Sequence, residues 1–457
     1  MTATTLTPTD LRSVCAAFTE TRGAIRIQGA GTAAAWAEAP GAADVVVDTT
    51  GLSGIRAYNP ADMTVSVGAG TPLAQLQDEI ARHGQRIAFD AARVRRGATV
   101  AGLIATADSG PLALGFGSMR DLVIGATVVL ADGTPARTGG HVIKNVAGYD
   151  LAKLMHGSYG VYGLMTEVVL RLHPVPEAQR TVALDCTLHE ATRHTRSILA
   201  EAQEPVSLEW ADGILLTRIE GTADGTAVRA RALAELTGGR VLPEDDAADS
   251  WDQHARLVDD ATVRVGCRPS RLPDVLGRFD APVAAGLATG IATLSAPAAY
   301  VDRVHDAVTE AGGTSVVRAT DPNIRAWGQQ PSALRVLQAI KRELDPTCRL
   351  DPGRFGTWLG PNVVAGAGTA TDAGAAPASS VAAASGGPSP TAGTAAATAP
   401  PTTSPASTGS PDAADRSTAQ QGDPTPRAAA SQAASHVVQA PTDSSGGAEP
   451  ADSEQED

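Results

Sequence analysis

Short apolar runs ending in glycine dominate the first third of the chain. Residues 24–28 (AIRIQ) alternate as a half-buried strand does and run into Gly29-Ala30-Gly31-Thr32. DVVVD at 44–48 and TVSV at 64–67 read as buried strands, the second ending in Gly68-Ala69-Gly70. Residues 122–131 read as a long strand closed by the turn Asp132-Gly133, and 160–173 as another ended by Pro174. Helical spacing appears between these runs. Residues 10–21 fit a short helix with Thr9 as N-cap. Residues 72–83 fit a second, with proline in its first turn and Leu73, Leu76 and Ile80 on one side. Residues 150–156 fit a third.

Beyond residue 176 the glycine punctuation weakens. Strands are expected at 207–210 and 213–220, a helix at 226–236 turning Val228, Ala232 and Leu236 to a core, and a similar helix at 300–311. A further helix at 332–344 leads into DPTCRLDPGRF at 345–355. This pattern divides the chain into a glycine-rich domain over 1–175, an α+β domain over 176–330, a C-terminal segment over 331–360 that returns to the first domain, and a tail over 361–457.

Composition sets the tail apart. All 15 aromatic residues lie at or before Trp358, and the tail is mostly Ala, Gly, Pro, Ser and Thr. Such a segment buries too little apolar surface to offset its ordering entropy, so a disordered, low-complexity tail is expected. The remaining ~360 residues are enough for two cores. The tail also carries ten acids and two arginines of a net charge of -14. The body stays acidic and has no basic run, which gives no electrostatic reason to bind nucleic acid. No stretch of ~18 apolar residues predicts a membrane span, and the N-terminus lacks the basic-then-apolar order of a secretory signal. A cytoplasmic protein is expected, with any membrane association made through partner subunits. The four cysteines, Cys15, Cys186, Cys267 and Cys348, form no CxxC pair. They read as reduced, mostly buried thiols, and the chain offers no iron–sulfur ligand set.

Three blocks could carry chemistry. Gly29-Ala30-Gly31-Thr32 after a strand suits a diphosphate, because glycine lets backbone N–H groups point inward and threonine adds a hydroxyl. Read as a dinucleotide fingerprint, GAGTAA has alanine at the third glycine position, with Asp48 near the place of a ribose-binding acid; a plain strand-to-loop turn explains it equally. The second block, 97–134, packs so many small residues that something flat or charged against the backbone is expected. The third, 141–174, places Lys144 before Gly148-Tyr149-Asp150 and then runs through Gly157-Ser158-Tyr159-Gly160 into a strand. A lysine near an electron-rich ring could stabilise negative charge, although a surface or capping lysine is the simpler reading of Lys144 alone.

Taken in order, GSMRDLVIGATVVLADG, KNVAGYDLAKLMHGSYGVYGLMTEVVLRLHP and DPGRFG resemble the FAD-binding domain of the vanillyl-alcohol-oxidase/p-cresol-methylhydroxylase (PCMH) type, and within it the FAD-binding subunits of bacterial glycolate oxidases. The resemblance covers residues ~10–358 and is strongest over 97–174. It implies an α+β fold, with a two-subdomain PCMH-type FAD-binding domain and an α+β cap. By position it assigns FAD contacts to Gly29, Ala30, Gly31, Thr32, Thr99, Gly102, Ser109, Gly110, Gly117, Ser118, Asp121, Leu164 and Asp351, and the closing motif also holds Pro352, Gly353 and Arg354. Asparagine stands at the Asp351 position in many relatives.

Three departures shape the expected function. The diphosphate loop offers no flavin-linking His or Cys, so noncovalent FAD is expected. No His-rich metal motif is present, and His189, His194, His254 and His305 read as surface residues, so no metal is expected. Tyr159 replaces the usual glutamate of a GSEG turn. The resulting expectation is a subunit that oxidises a 2-hydroxy acid, glycolate to glyoxylate, by hydride transfer to FAD, beside a second flavin subunit and an iron–sulfur subunit that carries the electrons away. His141, Lys144 and Tyr149 are candidates for the proton-handling groups, and Arg354, ahead of Arg120 and Arg325, for the carboxylate clamp. The alternatives are a noncatalytic FAD-binding assembly or electron-relay subunit, a stand-alone alcohol or sugar oxidase of the same fold, and a nicotinamide Rossmann enzyme.

Overall fold

In the computed structural model, which describes residues 3–141, 151–201, 203–319, 321 and 323–360, three sheets account for most of the framework. The first is small and parallel, in the order Thr4–Leu6, Val45–Asp48, Ile25–Gln28. Its alternating residues bury Ile25 and Val47 against Val14 and Phe18 of the Leu11–Glu20 helix. Asp10, not Thr9, caps that helix. Its carboxylate accepts from Ser13 N–H at 2.7 Å, and Ser13 Oγ accepts in turn from the Asp10 N–H at 3.2 Å, a reciprocal box that Thr9 is one residue too early to close.

The second sheet is antiparallel, in the order Ile55–Asn59, Thr64–Gly68, Leu164–Arg171, Val123–Val129, Pro135–Gly139. Leu164–Arg171 begins four residues later than the pattern suggests, because Gly160 and Gly163 both hold positive φ and make a turn there. The Leu73–Ala81 helix lays fully buried Leu73, Leu76 and Ile80 against this sheet, on the side its spacing predicts.

The third sheet has eight antiparallel strands: Arg240–Val241, Ala178–Asp185, Ile214–Gly221, Ser207–Ala211, Val283–Gly286, Ile291–Leu294, Val263–Gly266, Thr314–Val317. One face packs Leu208, Leu215, Ile219, Val263, Val265, Ala285, Ala292 and Leu294 with helices Leu188–Ala200, Ala223–Thr237 and Val301–Glu310 into a separate core. The Ala223–Thr237 helix does not turn Val228, Ala232 and Leu236 inward. Thr226, Ala230, Leu233 and Thr237 face the sheet, and Val228 is 60% exposed. The apolar stripe of this alanine-rich helix is too weak to fix its rotation, and the fit of small residues against the Ala178–Asp185 strand decides it. His254 and His305 are buried rather than superficial: His305 sits between Ser315 Oγ at 2.7 Å and the Arg325 carbonyl at 2.8 Å. His189 is exposed. All four cysteines are free thiols and only partly buried.

The C-terminal residues pack onto the first two sheets. Ile25 N–H donates to the Arg349 carbonyl and Asp351 N–H to the Ile25 carbonyl, each at 2.8 Å. Lys341 and Asp345, both buried, meet at 2.6 Å, and Lys341 Nζ also donates to the carbonyls of Val161 at 2.7 Å and Leu350 at 3.2 Å. With their remaining donors and acceptors so satisfied, this pair is affordable inside the core and ties the Leu334–Leu344 helix to the Gly157–Gly163 turn.

Candidate functional site

Two adjoining cavities open where the three sheets meet. The first is a cleft of about 200 Å³ under the Gly29–Thr32 turn. The Ile25–Gln28 strand aims the turn, and Gly31 holds φ +72°, a conformation a side chain would strain. Gly29 presses so close to Thr99 that a Cβ there would lie 2.7 Å from Thr99 Oγ1. Thr99 is held in place because its hydroxyl caps the Val100–Ala105 helix, accepting from Gly102 N–H at 3.2 Å. Leu164, Gly160 and Tyr159 supply the far wall. Tyr159 sits at φ +49° and is braced edge-on by Trp327 and Phe355, at ring-centroid distances of 5.5 and 5.8 Å. Burial raises its phenol pKa, so it stands in the cleft as a neutral hydroxyl.

The electrostatics of the cleft favour an anion. Arg26, Arg93 and Arg354 line it, and no described residue accepts from the N–H groups of Gly31 or Thr32. Those donors, the bare glycine surface and the guanidinium groups fit a diphosphate. The enclosed volume covers part of a dinucleotide rather than all of it. A diphosphate-bearing cofactor such as FAD fits the chemistry of this lining, to which Gly29, Ala30, Gly31, Thr32, Thr99, Gly102 and Leu164 all contribute.

The second cavity, about 320 Å³, lies between the 108–111 turn and the face of the eight-stranded sheet opposite its apolar core. Strand register explains its lining. Val263 and Val265 point to the core, so Arg264 between them points the other way, beside Thr293 on the neighbouring strand. Glu209 and Arg218 share that face, and Arg318 follows the Thr314–Val317 strand onto it. The Glu244–Asp260 helix, absent from the sequence expectations, covers the face with Trp251 and His254.

The chamber is densely charged. Arg218 Nη1 meets Asp90 Oδ2 at 3.2 Å and lies over the Trp251 ring at 4.1 Å. His254 Nε2 lies 3.3 Å from Glu209 Oε2. Burial raises the carboxyl pKa of both Asp90 and Glu209, opposed by Arg218 and His254 respectively. Burial likewise pulls Arg318 down to about 10 against the pull of Asp108 and Asp259, with Arg264 and Arg93 adding like-charge repulsion.

The wall between the cavities is Arg93. Its Nε donates to Asp108 Oδ2 at 2.8 Å, its Nη1 to Thr32 Oγ1 at 3.0 Å, and its Nη2 to Thr106 Oγ1 at 2.6 Å. Trp36 is sandwiched between Arg93 and Arg318, each guanidinium 4.3 Å from the ring centroid.

The remaining sequence candidates divide. Ser109 and Gly110 line the chamber instead of the cleft. Gly117, Ser118 and Asp121 line neither cavity. Ser118 and Asp121 form a capping box, with Ser118 N–H donating to Asp121 Oδ2 at 2.8 Å. Asp351 sits behind the cleft, where its Oδ2 accepts from Ile27 N–H at 3.1 Å and its buried Oδ1 has no partner among the described residues; burial pushes its carboxyl up to about 6. Arg354 lines the cleft, with its Nη1 donating to the carbonyls of Trp36 at 3.0 Å and Glu38 at 3.1 Å. His141 is exposed at the end of the Pro135–Gly139 strand, and Arg120 and Arg325 are exposed away from both cavities. Lys144 and Tyr149 lie outside the described residues. Sequence reasoning missed Arg93, Glu209, Arg264 and Arg318. A lone arginine between two strand valines, VRV at 263–265, was the one local signal. Among the described residues, no cluster of His, Cys, Asp and Glu is arranged to hold a metal ion, and no helix is long and apolar enough to cross a membrane.

Comparison with known proteins gives a consistent result. The family described as FAD binding domain matches residues 3–139. The chain is 31% identical over 320 residues to glycolate oxidase subunit GlcE of Escherichia coli (strain K12), covering 66% of this chain and 84% of that one. It is 40% identical over 144 residues to glycolate oxidase subunit GlcD of Bacillus subtilis (strain 168), 31% of each chain. It is 32% identical over 200 residues to the mitochondrial D-lactate dehydrogenase [cytochrome] of Arabidopsis thaliana, covering 44% of this chain and 32% of that one. Among solved structures, alkyldihydroxyacetonephosphate synthase aligns with a TM-score of 0.56 over 76% of each chain at 14% identity, a likeness of fold alone.

Proposed function

The chain belongs to the PCMH-type FAD-binding family, together with the FAD-binding subunits of bacterial glycolate oxidases, and on that premise we propose that it oxidises a 2-hydroxy acid, glycolate to glyoxylate, as one subunit of a larger complex. The observation that carries this reading is the pairing of the Gly29–Thr32 cleft with an arginine-lined chamber across a single residue, Arg93. Noncovalent FAD, when bound, supplies the two-electron acceptor for the carbinol carbon. Gly31 and Thr32 N–H groups, with Arg26 and Arg93, hold its diphosphate. Thr99 keeps the Gly29 turn at its depth, and Tyr159 closes the cleft from the opposite side. In this reading the chamber takes the substrate together with the part of the cofactor that the cleft is too small to hold, and its buried Glu209–His254 pair is placed to accept a hydroxyl proton, a role the exposed His141 is badly placed to fill.

The relatives' names support a multi-subunit assembly. A second flavin subunit and an iron–sulfur subunit complete the complex in this reading, the latter carrying electrons onward.

An absorbance spectrum of the purified protein tests the reading, recorded before and after anaerobic glycolate and again after denaturation. Flavin bands near ~450 nm that bleach with glycolate and are released on denaturation support it. Bands that never bleach, even with partner subunits present, reduce the chain to an assembly or relay role. A folded protein that takes up no added FAD overturns the reading altogether.

A further inference from the structure

We propose that Arg264 and Arg318 form the anchor for a small carboxylate in the chamber between the Ser109–Gly110 turn and the polar face of the eight-stranded sheet. The inference rests on the 2-hydroxy acid reading above and names the residues that recognise the acid.

The charges of the chamber pair off unequally. Asp108 is held by Arg93, Asp252 by Arg95 at 2.8 Å, Asp90 by Arg218 and Glu209 by His254. Every acid lining the chamber thus has a partner. Two arginines remain. Arg264 donates to the Ser109 hydroxyl at 3.3 Å, and no described carboxylate comes within ion-pair distance of it. Arg318 is only 8% exposed, yet no described residue accepts from its Nε; its Nη1 reaches the Val258 carbonyl and its plane rests on Trp36.

A buried guanidinium with an unused donor is costly to keep without an anion, and the planar fork of arginine matches a carboxylate in two parallel hydrogen bonds. Arg218 is not a third member, because Asp90 and the Trp251 ring already occupy it. The cavity, about 320 Å³, lies at the small end of ligand pockets. Ala284, Ile291 and Thr293 floor it beside Arg264, which suits a short acid with little beyond its carboxylate and hydroxyl.

Oxalate is the probe, since it carries the carboxylate but no C–H bond to oxidise. It is titrated calorimetrically into the full-length protein after incubation with FAD. Saturable one-to-one binding is expected, with neutral glycolamide failing to bind. R264Q and R318Q should each weaken oxalate ~10-fold or more, as expected for losing a charged hydrogen bond. R264K should fall between, keeping the charge and losing the fork. If R318Q fails to fold, R264Q and R264K decide alone. Oxalate that does not bind the wild type, or binds R264Q as tightly as wild type, overturns the anchor. The flavin band is read in the same samples, so a chain that binds oxalate but no flavin would sink the flavin reading and leave the anchor standing.

Discussion

Arg93 Nε and Asp108 Oδ2 lie 2.8 Å apart, both side chains almost fully buried, and this ion pair is the partition between the glycine-rich cleft and the arginine chamber. Arg93 also reaches Thr32 on the cleft side, while Asp108 accepts the Ser109 N–H on the chamber side at 3.0 Å. One pair therefore fixes a loop in each cavity.

Breaking that pair from one side should be expensive. R93M leaves Asp108 buried and unpaired, at a cost of about 3–5 kcal/mol. Denaturant midpoints should fall accordingly, and bound flavin should be lost as Thr32 is freed. R93M/D108N should recover part of the stability, a non-additivity readable in a double-mutant cycle. Additive losses would mean that the two residues act independently.

The depth of the Gly29 turn is set by Thr99. G29A puts a methyl 2.7 Å from Thr99 Oγ1, so about 1–3 kcal/mol of overpacking is expected, together with weaker FAD retention. T99A alone removes a helix cap, worth about 1 kcal/mol. G29A/T99A should bind FAD more tightly than G29A, by fluorescence titration. Equal affinities would show that contact not to matter.

Asp351 should make stability depend on pH. Its carboxyl pKa rises from 3.8 to about 6 on folding because burial disfavours the charge. The native state therefore binds more protons than the unfolded chain between about pH 4 and pH 6, so stability falls as pH rises through that window. D351N keeps an acceptor for Ile27 N–H without the charge. It should flatten the pH profile of the melting temperature and stabilise the protein at pH 7 by up to about 3 kcal/mol, two pKa units' worth. An unchanged profile would place the titration elsewhere.

Removing residues 363–457 should leave flavin content and melting temperature unchanged, because the cleft and chamber are lined entirely from residues 26–354. Loss of flavin in the shortened chain would show that the domain boundary is misplaced.

The cleft was legible in the sequence because its chemistry is local. A strand, a glycine turn and a threonine follow one another in the chain at Gly29–Thr32, while Thr99, Gly102 and Leu164 were placed by the family resemblance, and all of them line the cleft. Leu73, Leu76 and Ile80 were equally plain, since one strong apolar stripe fixes a helix's rotation. Where the local signal was thin, the reading slipped. Val228 and Leu236 point to solvent because small residues fit the sheet better, and Asp121 turned out to cap a short helix rather than line a cavity.

The chamber could not be read this way. Alternation in VRV states that Arg264 leaves the core face, but a residue leaving one face of a sheet ordinarily meets water. Only the way the Glu244–Asp260 helix folds back over the sheet, together with the 108–111 turn from the far end of the body, decides that this face is enclosed. The sequence by itself determined the glycine turns and the strands that lead into them, because those depend on neighbours in the chain, and the family resemblance supplied the kind of cofactor. The tertiary structure alone decided which charges are buried and which of them are left without partners, because burial and pairing depend on what packs on top.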